Sequence, residues 1–438
     1  MSIPAVEHDF IGVGFGPSNL AIAVVMEEQA RFHKAGVDYC FIEKKPEFVW
    51  HGSMLLEGSD MQISFLKDLV TLRNPTSRFT FINYLHEKDR LKEFINLKTF
   101  FPARVEYNDY LRWVAAQFDD RCRYGEEVIG VEPVKEGETV TKLKVLSRRA
   151  DGSEEIRLTR KLVLGVGGVP SVPEAFEGVR DARVIHSSCY LEQLGKLMAS
   201  DKPPRRIAVV GGGQSAAEVF MDLVGRGVEV ALITRGETLK PSDDSPFVNE
   251  IFNPQFTDLI YQKPKACRAG MLERYRNTNY SVVDLDLIES IYQLMYMQRV
   301  KGVETHQLLC SREVSAVALR DAGVELALRD RVNGKVEHHD FDAVVLATGY
   351  RRDDHKRLLE SLSPWIAGYE VDRDYRLRTQ PNFLPGIYLQ GCCEDSHGLS
   401  DTLLSVLSIR SEEIAESLLA DRLNAPEAAA SVAKQVTA

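Results

Sequence analysis

The chain has no run of about 18 apolar residues, the length a membrane-spanning helix needs, so no integral membrane segment is expected. Its opening residues, MSIPAVEHD, carry neither a basic stretch nor an apolar core, so no secretory leader is expected there. Seven cysteines are present (Cys40, Cys122, Cys189, Cys267, Cys310, Cys392 and Cys393), an odd number with no Cys-x-x-Cys pair. A disulfide framework and a zinc ribbon are therefore not indicated, no metal site is expected, and a reducing cytoplasm is the simplest compartment. Basic residues are outnumbered, 54 against 64 acidic, for a net charge of -10. No broad cationic field is available to neutralise phosphates, which argues against a nucleic-acid partner.

What is present is ordinary globular material. With 438 residues, 44% hydrophobic and 27% charged, two or three domains are expected at roughly 100–200 residues each. The chain reads as an α/β protein with two Rossmann-like dinucleotide-binding domains and a smaller helical insertion. A short apolar strand at 6–11, a helix at 16–35 and a strand at 37–43 make one βαβ unit. A helix is expected at 107–118 and a buried strand at 161–166. A second unit runs from 206–211 through a helix at 214–226 to a strand at 228–233. Residues 284–298 carry a helical pattern. A last buried strand, 342–347, is expected to return the chain to the first domain. The expected division is 7–168 with 342–422 for the first domain, 169–240 with 305–341 for the second, and 241–304 for the insertion. The tail, 423–438, has no apolar face and is expected to be disordered.

Both units open on a glycine loop. Gly12-Val13-Gly14-Phe15-Gly16-Pro17 follows a strand and starts a helix. The first glycine permits the tight turn, the second lets backbone approach a pyrophosphate, and the helix N-terminus attracts the anion. Pro17 replaces the usual third glycine and suits a helix's first turn. Glu43 ends the next strand, where an acid binds ribose hydroxyls. This pattern points to FAD. Gly211-Gly212-Gly213-Gln214-Ser215-Ala216 repeats the geometry, but its next strand ends in Thr234-Arg235. An arginine there holds a 2′-phosphate that an acid would repel, so this loop points to NADPH over NADH. A bare tight turn and a solvated surface arginine are the bland alternatives.

Two dinucleotides admit several chemistries. A disulfide reductase needs a redox-active cysteine pair, and the only adjacent pair, Cys392-Cys393, is vicinal and strained for that role. A Baeyer–Villiger-type fingerprint is incomplete: Phe176-x-Gly178 is present, yet the residue four further on is Ala182, and His186 is displaced. A flavin monooxygenase of another branch remains.

Seven segments carry a resemblance: VGFGPSN (13–19), MQISFLKDLVTLRNPTSRFTFINYLH (61–86), GGGQSAAE (211–218), DDSPFVNEIF (243–252), NTNYSVVD (277–284), LATGY (346–350) and HGLSDTLLSVL (397–407). The chain resembles the bacterial N-hydroxylating flavin monooxygenases of siderophore biosynthesis, and Leu72-Arg73-Asn74-Pro75 resembles the ornithine branch. The resemblance implies that FAD contacts Gly12, Gly14, Gly16, Pro17, Glu43, Lys44, Trp50, His51, Gln62 near the flavin ring, Val128 near the adenosine, and Thr402, Leu403 and Leu404. It implies NADP contacts at Gly211, Gly213, Gln214, Ser215, Arg235, Asn279, Tyr280 and Ser281. It implies substrate contacts at Lys67, Asn249, Asn279 and Ser405. Lys67 would pair with the amino-acid carboxylate, which needs a cation partner when partly buried.

The implied reaction is hydroxylation of the L-ornithine side-chain amine by O2 through a flavin C4a-hydroperoxide, giving N5-hydroxyornithine. The cofactor carries the chemistry, so no side chain is assigned as catalytic acid or base. The family also implies a homotetramer. The same chemistry on lysine or a diamine, an NADPH oxidase that only makes peroxide, and a dinucleotide sensor are the competing readings.

Overall fold

The computed structural model describes residues 6–29, 31–32 and 36–423. Residues 424–438, most of the tail expected to be disordered, lie outside the described residues, and Leu423 closes the last helix.

Two five-stranded, all-parallel sheets organise the molecule. The first has the order Gly386–Leu389, Lys161–Leu164, Phe10–Val13, Tyr39–Glu43, Cys122–Tyr124. The second runs Val184–His186, Ala343–Leu346, Arg206–Val210, Glu229–Ile233, Gln307–Leu309. Their strands are short, continuous apolar runs because both faces are covered, the usual condition of parallel sheets: the interior strands Phe10–Val13 and Ala343–Leu346, and even the edge strand Gly386–Leu389, are buried at every position.

The second sheet corrects one expectation. Strand Ala343–Leu346 does not return to the first domain; it pairs with Arg206–Val210 on one side and Val184–His186 on the other. The return is made by Gly386–Leu389, beside Lys161–Leu164. A buried strand shows only that it is buried, and two parallel sheets offered it equal cover. The first helix is also shorter than expected. It spans Pro17–Glu28 and stops where Gln29 turns extended.

An antiparallel meander, Glu126–Glu136, Thr139–Arg149 and Glu154–Thr159, extends the first lobe. Another, Arg312–Arg320, Gly323–Asp330 and Val336–Phe341, backs the second. The chain crosses between lobes twice, and the two crossings pair with each other as Val169–Pro170 against Tyr350–Arg351. Met54 and Leu56, from the first lobe's sequence, sit in the apolar core of the second. The insertion folds as helices Pro246–Asn249, Pro254–Tyr261, Lys265–Tyr275 and Leu285–Lys301.

The C-terminal helix, Leu407–Leu423, packs Ile414, Ala415 and Leu418 into the first lobe's core. Near its start, Arg410 is 2% exposed and pairs with Asp401 at 3.0 Å. Its other amine donates to Ser18 Oγ at 3.0 Å, and Asp401 Oδ2 accepts the Cys393 N–H at 2.6 Å. This one pair ties the first glycine-loop helix, the 393–402 turn and the final helix together. Removing one partner of a buried pair leaves an uncompensated charge and costs about 3–5 kcal/mol. Arg410→Met should therefore lower the urea midpoint by an amount matching that cost; a midpoint like that of the unmodified chain would show the pair to be dispensable.

Candidate functional site

The first glycine loop is built for close backbone approach. Gly14 has φ +79°, and a Cβ there would lie 2.6 Å from the Gly165 carbonyl oxygen. Backbone cannot yield as a side-chain tip can, so only glycine fits. Gly16 is the opposite case: a Cβ would meet nothing within 4 Å. It is the N-cap of the 12-residue helix Pro17–Glu28 and makes no side-chain cap. Open space therefore lies at the positive end of a helix whose first donors are free, which fits a bound pyrophosphate. Glu43 holds this loop in place. Its carboxylate accepts the Phe15 N–H at 2.8 Å and the Lys45 N–H at 2.9 Å, leaving further lone pairs for hydroxyl donors.

Residues 44–51 continue from that strand end. Trp50 donates its N–H to Asn108 Oδ1 and meets the His51 ring edge-on. His51 takes a left-handed backbone at φ 51°, an uncommon conformation for a side chain of its size. The residue is exposed. Desolvation, then the cations Arg104, Lys45 and Arg352, push its pKa down, so it stands neutral at physiological pH. Val128 lies in the meander's first strand with its side chain buried.

The second loop repeats the logic. A Cβ on Gly211 would lie 2.4 Å from the Ala347 carbonyl oxygen, and one on Gly212 would lie 2.4 Å from Thr234 Oγ1. Gly213 caps the helix Gln214–Gly225 without a side-chain bond. Arg235 is exposed beyond the strand end, and no carboxylate pairs with it among the described residues. A free guanidinium two residues past the strand end, on the same side of the sheet as an uncapped helix start, fits a phosphorylated ribose.

The turn 279–284 brings the expected pieces together. Ser281 has φ +59°, and its Cα lies 3.6 Å from where a Gly213 Cβ would stand. Tyr280, expected among the NADP contacts, reaches instead to Glu394 and Thr402 of the first lobe's last turn. Asp284 accepts a bond from Gln62 at 3.0 Å and another from Gln214 at 2.9 Å. The turn thus touches the 61–67 segment, the second glycine loop and the 394–402 turn. Asn249 is partly committed, since its amide donates to the Asp244 carbonyl at 2.8 Å.

Two of the substrate contacts implied by the resemblance lack partners among the described residues. Lys67 is half-buried, its ammonium has no hydrogen bond or ion pair among the described residues, and desolvation lowers its pKa. Ser405 is 1% exposed, and its hydroxyl bonds to nothing. Buried polar atoms are nearly always satisfied, and Ser405 Oγ is among several here that are not, with Ser408 Oγ, Gln390 Oε1 and His355 Nδ1. Next to Lys67, the buried Asp68 carboxylate accepts bonds from the Val70, Thr71 and Phe81 N–H groups and from Thr71 Oγ1. It knots the backbone and fixes the lysine beside it. An apolar void lined by Phe256, Ile260, Met271 and Leu272 lies inside the insertion, but it offers no charge to a zwitterion.

Sequence reading missed the residues that join the lobes. Arg104 grips Glu218 through both oxygens at 2.9 and 2.7 Å. Asp284 was missed although it ends a quoted segment. No local pattern marks pairs so far apart in sequence.

Comparison with known proteins agrees with this geometry. The family model for L-lysine 6-monooxygenase/L-ornithine 5-monooxygenase matches residues 6–352. An L-ornithine N(5)-monooxygenase of Pseudomonas aeruginosa is 52% identical over 417 residues, covering 94% of each chain. One of Burkholderia cepacia is 55% identical over 399 residues, covering 89% of each. The structure of the Kutzneria sp. 744 ornithine N-hydroxylase with reduced FAD, NADP+ and L-ornithine superposes with a TM-score of 0.89 at 35% identity, covering 95% of this chain and all of that one. The chain belongs to the L-lysine 6-monooxygenase/L-ornithine 5-monooxygenase family.

Proposed function

We propose that this chain hydroxylates the side-chain amine of L-ornithine with O2, drawing electrons from NADPH through FAD, and so makes N5-hydroxyornithine for a hydroxamate siderophore. The observation that carries the substrate is Lys67, a half-buried ammonium with no partner of its own. A diamine would bring it no carboxylate; an amino acid does. The relatives named for ornithine support that choice over lysine.

FAD, held at the first glycine loop, supplies the oxygen-activating chemistry. The chain's own residues do the rest. Glu43 and the open N-terminus at Gly16 hold the dinucleotide, Arg235 selects the 2′-phosphate, and Lys67 anchors the amino acid. Ser405, Asn249 and Asn279 offer uncharged groups that hold amine and carboxylate without adding a fixed charge. Ile251, Phe252 and Leu399 form an apolar cluster with Leu403, against which Tyr280 closes its turn. This wall excludes water from the reacting side. All seven cysteines are free thiols, no described helix is long and apolar enough to cross a membrane, and both fit a cytoplasmic enzyme. The homotetramer belongs to the same proposal. Exposed Tyr292, Tyr296 and Val300, spaced along one helix, support an assembly surface.

The direct test measures hydroxylamine formed per NADPH oxidised with ornithine, lysine and putrescine. Ornithine should give a ratio near one; peroxide without product from every amine would make the chain an oxidase, and a preference for lysine or putrescine would reassign the substrate. Lys67→Ala should raise the KM for ornithine by roughly ten- to a hundredfold, the cost of losing a bond to a charged group, with little change in KM for NADPH; an unchanged ornithine KM removes the anchor. Arg235→Ala should erase the preference for NADPH over NADH in kcat/KM, and a preserved preference would sink the phosphate argument.

The pH profile should have two limbs. The attacking amine must be neutral, and its free pKa is near that of lysine, about 10.4, so turnover should climb from neutral into mildly alkaline pH. Burial lowers the Lys67 pKa. Its charge is present below that lowered value and is lost as pH rises through it, so KM for ornithine should increase on the alkaline side before an exposed lysine would titrate. A turnover that falls from pH 6 to 8 contradicts the neutral amine.

A further inference from the structure

Asp284 stands at the N-cap of the 17-residue helix Leu285–Lys301, the position where aspartate is most favoured as a cap. It caps nothing. Its carboxylate is turned sideways, Oδ1 to the Gln62 amide at 3.0 Å and Oδ2 to the Gln214 amide at 2.9 Å. Its backbone N–H donates to Gln214 Oε1 at 2.8 Å, so Gln214 is held at both ends of its amide. Gln214 is the first helical residue after the second glycine loop, and it also donates to Glu218 Oε1 at 3.0 Å. Glu218 in turn grips Arg104 of the first lobe. Asp284 is therefore the one residue of this chain of bonds that touches both an amide of the first lobe and the helix start of the second glycine loop.

The two lobe-spanning bonds differ in kind. The Arg104–Glu218 pair is bidentate, with side chains 12% and 7% exposed. The Gln62–Asp284 bond is single and Gln62 is exposed. The first is a fixed anchor; the second can open and close at small cost in the native state. A carboxylate only accepts, so it also fixes which way Gln62 faces: the amide nitrogen goes to Asp284 and the carbonyl oxygen is left for another donor.

We propose that Asp284 is a positioning residue that couples occupancy of the NADP site to the orientation of Gln62 in the first lobe. This rests on the functional reading above, in which the second loop holds NADP and Gln62 faces the flavin. A dinucleotide seated at Gly213 fixes the helix start at Gln214; Gln214 fixes Asp284; Asp284 fixes Gln62. Forfeiting the helix cap to make these bonds is the local conflict that marks a functional role.

The test uses Asp284→Asn, which keeps size and backbone but offers one acceptor oxygen where two are needed, with Asp284→Ala beside it. Two quantities are read on the FAD-loaded enzyme: NADP+ affinity by calorimetry, and hydroxylamine formed per NADPH. Both variants should weaken NADP+ binding roughly fivefold or more, a typical coupling between sites, and should divert electrons to peroxide. Gln62→Ala should reproduce the peroxide leak and, because the coupling is reciprocal, weaken NADP+ binding by no more than Asp284→Asn does. The double variant Asp284→Asn/Gln62→Ala should leak no more than Gln62→Ala, because the two act in series. Wild-type values for Asp284→Asn in both readouts, or leaks that multiply in the double variant, would overturn the coupling. An unmodified chain with no affinity for NADP+ would overturn the functional reading itself.

Discussion

Glu218 closes on Arg104 with both carboxylate oxygens, and the relation between the lobes depends on that grip. Each lobe could fold around its own sheet and core. Neither sheet dictates where the other lies, because the two crossings are short and pair only with each other. A nearly buried bidentate ion pair defines distance and direction at once, as a single apolar contact does not. Met54 and Leu56 lend apolar area to the same junction. With the junction set, the second glycine loop and the turn 279–284 face the segment that carries Gln62 and Lys67.

The first lobe holds a second arrangement of the same type. Arg410 and Asp401 sit in the interior, and every element they join belongs to the cofactor-facing side: the glycine-loop helix through Ser18, the turn through Cys393. Asp68 plays the equivalent role beside Lys67, accepting four bonds from its own turn and from Phe81. In each case a buried carboxylate orders the backbone around it. Desolvation opposes the charge on Asp68 and raises its pKa, while its four donors stabilise it. The unpartnered groups, Lys67 and Ser405, stand next to these ordered segments, and fixed geometry beside an open valence is what a binding site requires.

Much of this was legible along the chain. The two glycine loops, Glu43 and Arg235 announce themselves because the backbone demand of a tight turn at a pyrophosphate is local: Gly14 sits at φ +79°, a conformation glycine takes readily. Within the insertion, only the pattern at 284–298 announces its helix, Leu285–Lys301; the helix before it, Lys265–Tyr275, carries no clear apolar face. Strand 343–346 misled because burial carries no address. The segments 61–86 and 397–407 had no period to explain them, and the structure supplies the cause: their aspartates, Asp68 and Asp401, are knots whose partners lie up to 13 residues away or on another helix.

The sequence by itself determined the two dinucleotide loops, the alternation of strand and helix around them, and the absence of a membrane-crossing helix, since each rests on neighbours within a few residues. Only the tertiary structure decided which sheet received the strand at 343–346, that Tyr280 turns toward Glu394, and that Asp284 abandons its helix to join Gln62 and Gln214. Those outcomes depend on charge and hydrogen-bond balance between groups more than a hundred residues apart, or across a turn whose direction packing sets, and nothing local to any one of them encodes its partner.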